Sequence, residues 1–313
     1  MPFPLFMNQG ILGRVHSSMV RTFTSLGWVA VLCPCLLTSC LQVEINSIGA
    51  KVIHQRKDES VILWKERKVG KPGVFEYMGN RTAVLVGGGD PIDFKFHGSS
   101  VTMRGKLGSG FTIGSAVAVA ADGYYLTAAH CLDEKGLRLV GYNGREIIFA
   151  PEVRTVWSGK DRGQDLALVH IAAKRSPYFP LADASGVYPG AEVLVCGAGG
   201  LKLAQSAGKI LVVRDRGGEG SSVPWKAVVH SAPLLKGDSG GPVMNEAGKL
   251  VGVTSTGGAF ALPLVGKRWV HSYRSGAVWA DPDWVQSMIE ADRRKFRGRE
   301  GVAFTVRPRH AER

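Results

Sequence analysis

Between Val101 and Val278 the chain breaks into short apolar and β-branched runs separated by Gly, Asn, Asp or Pro. Strands of this length and spacing suit a sandwich or barrels, not a parallel βαβ fold. The pattern predicts strands near Val101–Lys106, Ser115–Ala120, Tyr124–Ala128, Arg138–Tyr142, Glu146–Ala150 and Asp165–Ile171. It predicts more near Glu192–Cys196, Lys209–Val213, Ala227–His230, Pro242–Met244 and Lys249–Val253. One helix is expected to close the domain. Asp281 suits its N-cap and Pro282 its first position, and Trp284, Val285, Met288 and Ile289 share one face.

Residues 41 to about 100 set short apolar runs, such as Val61-Ile62-Leu63-Trp64 and Ala83-Val84-Leu85-Val86, among charges and glycines. They read as an N-terminal extension leading into a main domain over 101–290, with a basic tail over 291–313. The 313 residues, 45% hydrophobic and 21% charged, can bury one large core or two small ones. Much of the net charge of +13 lies in the tail, between Arg293 and Arg313. That suits a solvated end, with binding to an anionic surface as the lesser reading. No zinc-finger spacing, aromatic-basic signature or basic heptad helix accompanies it, so no nucleic-acid partner is expected. No metal-ligand cluster with usable spacing stands out, and no cofactor is expected.

The segment 26–37 (LGWVAVLCPCLL) is apolar and uncharged, with Arg14 and Arg21 upstream. It suits the core of an export signal over 1–40 and is short of the ~20 residues of a spanning helix. It ends in Leu37-Thr38-Ser39-Cys40, which resembles the lipobox of bacterial lipoproteins. The resemblance implies lipidation and a membrane tether at Cys40; a plain secretory signal is the alternative. Pro34 and the long leading segment depart from the lipoprotein pattern, and Met19 as the start would give a more ordinary signal. The chain is therefore expected to be exported, in the periplasm or at the cell envelope. Past the signal only Cys131 and Cys196 remain, and both pairing and separate buried thiols are open.

Three segments carry reactive residues beside apolar strands. Tyr125-Leu126-Thr127-Ala128-Ala129-His130-Cys131 ends on a histidine, Gln164-Asp165-Leu166-Ala167-Leu168-Val169 opens on an acid, and Lys236-Gly237-Asp238-Ser239-Gly240-Gly241-Pro242 sets a serine among glycines. Serine becomes a nucleophile only beside a base, and that base needs an orienting partner. Asp165 suits the orienting role, with Asp161 and Asp183 as competitors. Glycines around Ser239 let backbone N–H groups turn toward an oxyanion, and Gly237 and Ser239 are the expected donors.

TAAHC, DLALV and GDSGGP, in the order His, Asp, Ser, resemble the three signature blocks of trypsin/chymotrypsin-like serine peptidases. The resemblance runs from about Gly108 to Ile289. It implies an all-β fold of two antiparallel six-stranded β-barrels with a C-terminal helix, and a catalytic triad of His130, Asp165 and Ser239 in the cleft between them. It also implies that Ser255 supports the acid. The expected activity is hydrolysis of protein or peptide substrates by a serine endopeptidase through an acyl-enzyme.

The short segments between the blocks, and Gly108-Ser109-Gly110-Phe111 ahead of them, are similar to the bacterial HtrA and glutamyl-endopeptidase side of that clan. No PDZ domain is expected after the helix. By the same resemblance Pro233 lies at the base of the substrate pocket, with Leu234, Thr254 and Gly257 around it. No carboxylate stands there, so a small or medium apolar P1 residue is expected over Lys or Arg; His271, Thr254 or Lys236 would instead favour an acidic one. Leu85-Val86-Gly87-Gly88 resembles an activated N-terminus, but Val84 precedes it, and a buried strand accounts for the same residues. Asp238 is expected to pair within the fold. The competing function is a catalytically silent protease-fold protein that binds peptides or surfaces.

Overall fold

The computed structural model describes residues 46–56, 59–64, 73–88, 93–97, 100–104, 112–172, 176–198, 202–215, 225–257, 259–264, 268–296 and 304–306. Strands β1 (Asn46–Arg56) and β2 (Glu59–Trp64) are followed by a short helix α1 (Val74–Gly79), then β3 (Thr82–Gly87), β4 (Asp93–His97) and β5 (Ser100–Arg104). The next group is β6 (Thr112–Ala118), β7 (Tyr124–Thr127), β8 (Arg138–Tyr142), β9 (Ile147–Ala150), β10 (Arg154–Ser158) and β11 (Ala167–His170). After it come β12 (Glu192–Gly197), β13 (Lys202–Asp215), β14 (Trp225–His230), β15 (Pro242–Asn245) and β16 (Leu250–Thr256). The chain closes with β17 (Ala259–Leu264), β18 (Arg268–Tyr273), β19 (Ser275–Ala280), helix α2 (Pro282–Lys295) and β20 (Phe304–Val306).

The strands form two main antiparallel sheets. In the second, β12, β15, β16, β19, β14 and β13 follow one another, and β13 pairs back onto β12, which closes a six-stranded barrel. The first runs β10-β11-β7-β6-β3-β8-β9, with β20 added at the β9 edge. The all-β, two-barrel architecture with a closing helix is thus present, with more than six strands in the first sheet.

Residues read as an N-terminal extension are woven into both sheets. β3 lies between β6 and β8, with Leu85 and Val86 buried. That is the buried strand, not a free N-terminus. β1, β2, β5 and β4 continue the second sheet beyond β13. Phe94 and Phe96 of β4 then stack on Phe149 of β9, with ring centroids 4.8 and 5.2 Å apart.

Helix α2 begins as its sequence dictates. The Asp281 carboxylate accepts from the Asp283 and Trp284 N–H groups at 3.0 and 3.1 Å, and Pro282 occupies the first turn. The helix leaves the last strand of the second barrel and grips the first. Asp292 accepts two hydrogen bonds from Arg154 and one from Tyr124 Oη, and Arg293 pairs with Asp122 at 2.7 and 2.8 Å. These contacts tie together the two halves that carry the reactive residues.

Candidate active site

β7 runs into a tight turn at Ala129–Leu132, which lifts His130 to the surface, its side chain 48% exposed. Asp165 lies just ahead of β11, which pairs with β7. Its carboxylate accepts from the His130 backbone N–H at 2.9 Å, and His130 Nδ1 lies 2.8 Å from Oδ2 and 3.0 Å from Oδ1. A carboxylate only accepts, so Nδ1 carries the hydrogen and Nε2 the lone pair. From the second barrel, Ser255 Oγ donates to Asp165 Oδ2 at 2.5 Å. Burial opposes the charge on Asp165, but the hydrogen bonds from His130 and Ser255 outweigh it and hold its pKa below the usual carboxylate value. The same carboxylate, with the Cys131 thiol adding to it, raises the pKa of His130.

The serine loop is stitched to its surroundings. Leu235 N–H donates to the Asp238 carboxylate at 2.7 Å, so Asp238 does pair within the fold. Gly240 N–H donates to the Thr254 carbonyl at 2.7 Å, and Thr254 N–H to the Gly241 carbonyl at 2.8 Å. Gly240 has φ +87°, and a Cβ there would come 1.9 Å from the Ser115 carbonyl oxygen, so glycine alone fits. Gly237 is also left-handed, at φ +107°. The N–H groups of Gly237 and Ser239 donate to no other group among the described residues. That leaves them available to an incoming oxygen.

Sequence reasoning missed Ser115, which is fully buried on β6. Its N–H donates to the Ser239 carbonyl at 2.7 Å and its Oγ to the Gly237 carbonyl at 2.9 Å. Its Oγ also accepts from Ala198 N–H at 2.9 Å, and its carbonyl accepts from Thr127 Oγ1 at 2.7 Å. Ser115 therefore clamps the serine loop of the second barrel onto the strand beside the histidine turn. Nothing local in the sequence marks it. Cys131, next to His130, brings its Sγ to 3.6 Å from the Ser239 carbonyl oxygen, which sets the two blocks against one cleft.

The remaining site residues divide. Leu234 and Gly257 face each other, a Cβ on Gly257 falling 3.4 Å from that of Leu234. The Pro233 carbonyl accepts from Ser206 Oγ at 2.7 Å. Thr254 is 1% exposed, and its Oγ1 has no partner among the described residues. Asp183 faces Lys249 at 3.4 Å and Asp161 sits in an exposed turn, so Asp165 alone of the three acids meets His130. His271 lies on β18. Cys40 and the 108–111 segment lie outside the described residues. Cys131 and Cys196 are separate thiols, and burial pushes that of Cys196 up to about 12. Among the described residues no three His, Cys, Asp or Glu side chains gather as metal ligands would.

Residues 114–253 match the family described as Trypsin-like peptidase domain. A probable periplasmic serine endoprotease DegP-like from Marinomonas sp. is 32% identical over 153 residues, covering 49% of this chain and 30% of that protein. The serine endoprotease DegS of Haemophilus influenzae is 31% identical, covering 46% of this chain and 41% of its own. The putative serine protease HhoB of Synechocystis sp. is 28% identical, with coverage of 63% and 49%. The chain thus spans about a third to a half of the curated relatives it matches. Residues 114–253 are thus similar to a trypsin-like peptidase domain, and the relatives matched are described as serine endoproteases or a serine protease.

Proposed function

We propose that the domain hydrolyses peptide bonds with His130, Asp165 and Ser239 as its triad. The observation that carries this is Asp165, which accepts from the backbone and ring of His130 and from Ser255 at once. His130 Nε2 takes the Ser239 Oγ proton as the oxygen attacks the scissile carbonyl. The oxyanion that forms lies at the Gly237 and Ser239 N–H groups. Protonated His130, stabilised by Asp165, then passes its proton to the leaving amine, and an acyl-Ser239 remains. Water, deprotonated by His130, releases the second product. One missing oxyanion donor costs about 3 kcal/mol of transition-state stabilisation.

The test is cleavage of a quenched peptide library and labelling by a small fluorophosphonate, with Ser239→Ala as control. Loss of both cleavage and labelling in the variant supports the triad. A folded wild type that neither cleaves nor labels would favour the silent, peptide-binding reading.

The same proposal takes the chain as exported. Its support is the apolar segment before Cys40 and the word periplasmic in the description of relatives. The finer form, a lipid tether at Cys40, predicts that Cys40→Ser moves the protein from the membrane to the soluble fraction. Unchanged fractionation would sink the tether and leave the protease assignment intact.

A further inference from the structure

The second barrel holds polar groups that the triad does not use. His230 ends β14, and the register sets it opposite Ser275 on β19 and Ile210 on β13. Residues paired across a ladder share a face of the sheet. Ile210, Val228 and Ala277 belong to the apolar interior of this barrel, so His230 and Ser275 point inward with them. Thr254, opposite Ala277, takes the same face from β16. Ser275 Oγ is satisfied by the Ala232 carbonyl at 2.9 Å. His230 is 0% exposed, and among the described residues neither of its ring nitrogens has a partner; Thr254 Oγ1 has none either. Buried polar groups are ordinarily paired, so three unpaired atoms on one interior face call for a partner, an ordered water or a polar group of a ligand.

Three segments that adjoin the reactive serine surround this face. From His230 the chain runs through Pro233 and Leu234 into the serine loop. Leu234 meets Gly257 just past β16, and Ser275 of β19 donates to the Ala232 carbonyl, so the ends of β16 and β19 adjoin the other sides. Burial lowers the pKa of His230 to about 4, so near neutral pH its ring offers one donor and one acceptor. The Thr254 hydroxyl, across β19 on the same interior face, offers the same pair. A carboxamide complements both, an aliphatic side chain leaves them unpaired, and a carboxylate requires a proton that burial withholds.

We propose that His230 and Thr254 form the floor of the P1 pocket and select a carboxamide side chain, glutamine or asparagine, at the residue preceding the scissile bond. This rests on the proposed protease activity and replaces the apolar P1 expected from sequence. The floor is closed in the free chain, and the entering side chain displaces half-buried Leu234 to reach it.

The experiment is a P1 scan with the full chain, reading kcat/KM for otherwise identical peptides carrying Gln, Asn, Ala, Val, Leu or Glu. Gln and Asn are expected to exceed the others by at least ~10-fold, because a site built to hydrogen-bond its substrate discriminates strongly against analogues that cannot. In His230→Leu the preference should collapse, and in Thr254→Val it should weaken, while fluorophosphonate labelling of Ser239 persists in both. A wild type that favours Ala, Val, Leu or Glu overturns the inference whether or not the variants fold. So does a Gln preference that survives in folded His230→Leu. Absence of labelling in the wild type would instead overturn the protease reading, so the two failures are distinguishable.

Discussion

At the cleft, His130 is half exposed and its ring nitrogen meets a carboxylate; inside the second barrel, His230 is fully buried and meets no polar atom among the described residues. The surroundings move the two imidazoles in opposite directions. Asp165 favours the charged form of His130 and raises its pKa, while burial disfavours the charged form of His230 and lowers its pKa. The first environment favours the protonated ring and the second the neutral one. The contrast shows that what a histidine can do is set by which partners the fold brings to it.

The largest effect should come from breaking the partnered side. Asp165→Asn removes the acceptor that fixes Nδ1–H and lowers kcat by about 10⁴-fold, since the imidazole can take the wrong tautomer. The acid limb of the kcat/KM profile should also shift downward in pH, because the carboxylate that raises the His130 pKa is gone. A variant that keeps its activity, or keeps its acid limb in place, would show that Asp165 does not orient His130.

Much of this partnered side was legible in the sequence, because its signals are local. TAAHC, DLALV and GDSGGP each place a reactive residue against a strand, and Asp281-Pro282 announces helix α2. Arg138–Tyr142 was also readable from its β-branched core and the glycines beside it. What escaped depends on contacts between distant segments. Thr82–Gly87 is a central strand of the first sheet, yet nothing near it says which strands flank it. β13 runs over 202–215, far beyond the expected 209–213, because three different strands pair along it. The hairpin of β17 and β18 was unread, its apolar run giving no clear period. Ser115 and His230 matter for what lies across from them. A sequence read one segment at a time cannot supply that.

The unpartnered side makes a prediction about stability. The pKa of His230 is about 4 in the folded chain and about 6.5 when unfolded, so between these values the unfolded state binds the extra proton. Stability is therefore full above about pH 6.5 and falls as pH drops toward 4, by about 3 kcal/mol across the window. His130 acts in a different window. Its raised folded pKa contributes stability that is complete below about 6.5 and is lost as pH rises through the folded value. Urea unfolding at pH 7 and pH 4.5 should show a large loss in the wild type and a much smaller one in His230→Leu. His170 is also depressed, by burial and by Arg154, so the difference between wild type and variant is what isolates His230. Equal losses in both proteins would mean that His230 is paired or hydrated in solution.

The smallest effects distinguish two neighbours on one strand. Ser255 Oγ donates to a charged carboxylate at 2.5 Å, whereas Thr254 Oγ1, one residue earlier and on the opposite face, is buried without a partner. Ser255→Ala should lower kcat about tenfold, near the lower end of what a hydrogen bond to a charged group contributes, with little change in thermal midpoint. Thr254→Val keeps the shape of the side chain and removes an unsatisfied hydroxyl, so stability should hold or rise by up to about 1 kcal/mol. If Thr254→Val destabilises the fold instead, Oγ1 has a partner in solution, a bound water being the simplest. The contrast between a partnered cleft and an unpartnered interior would then narrow to His230 alone.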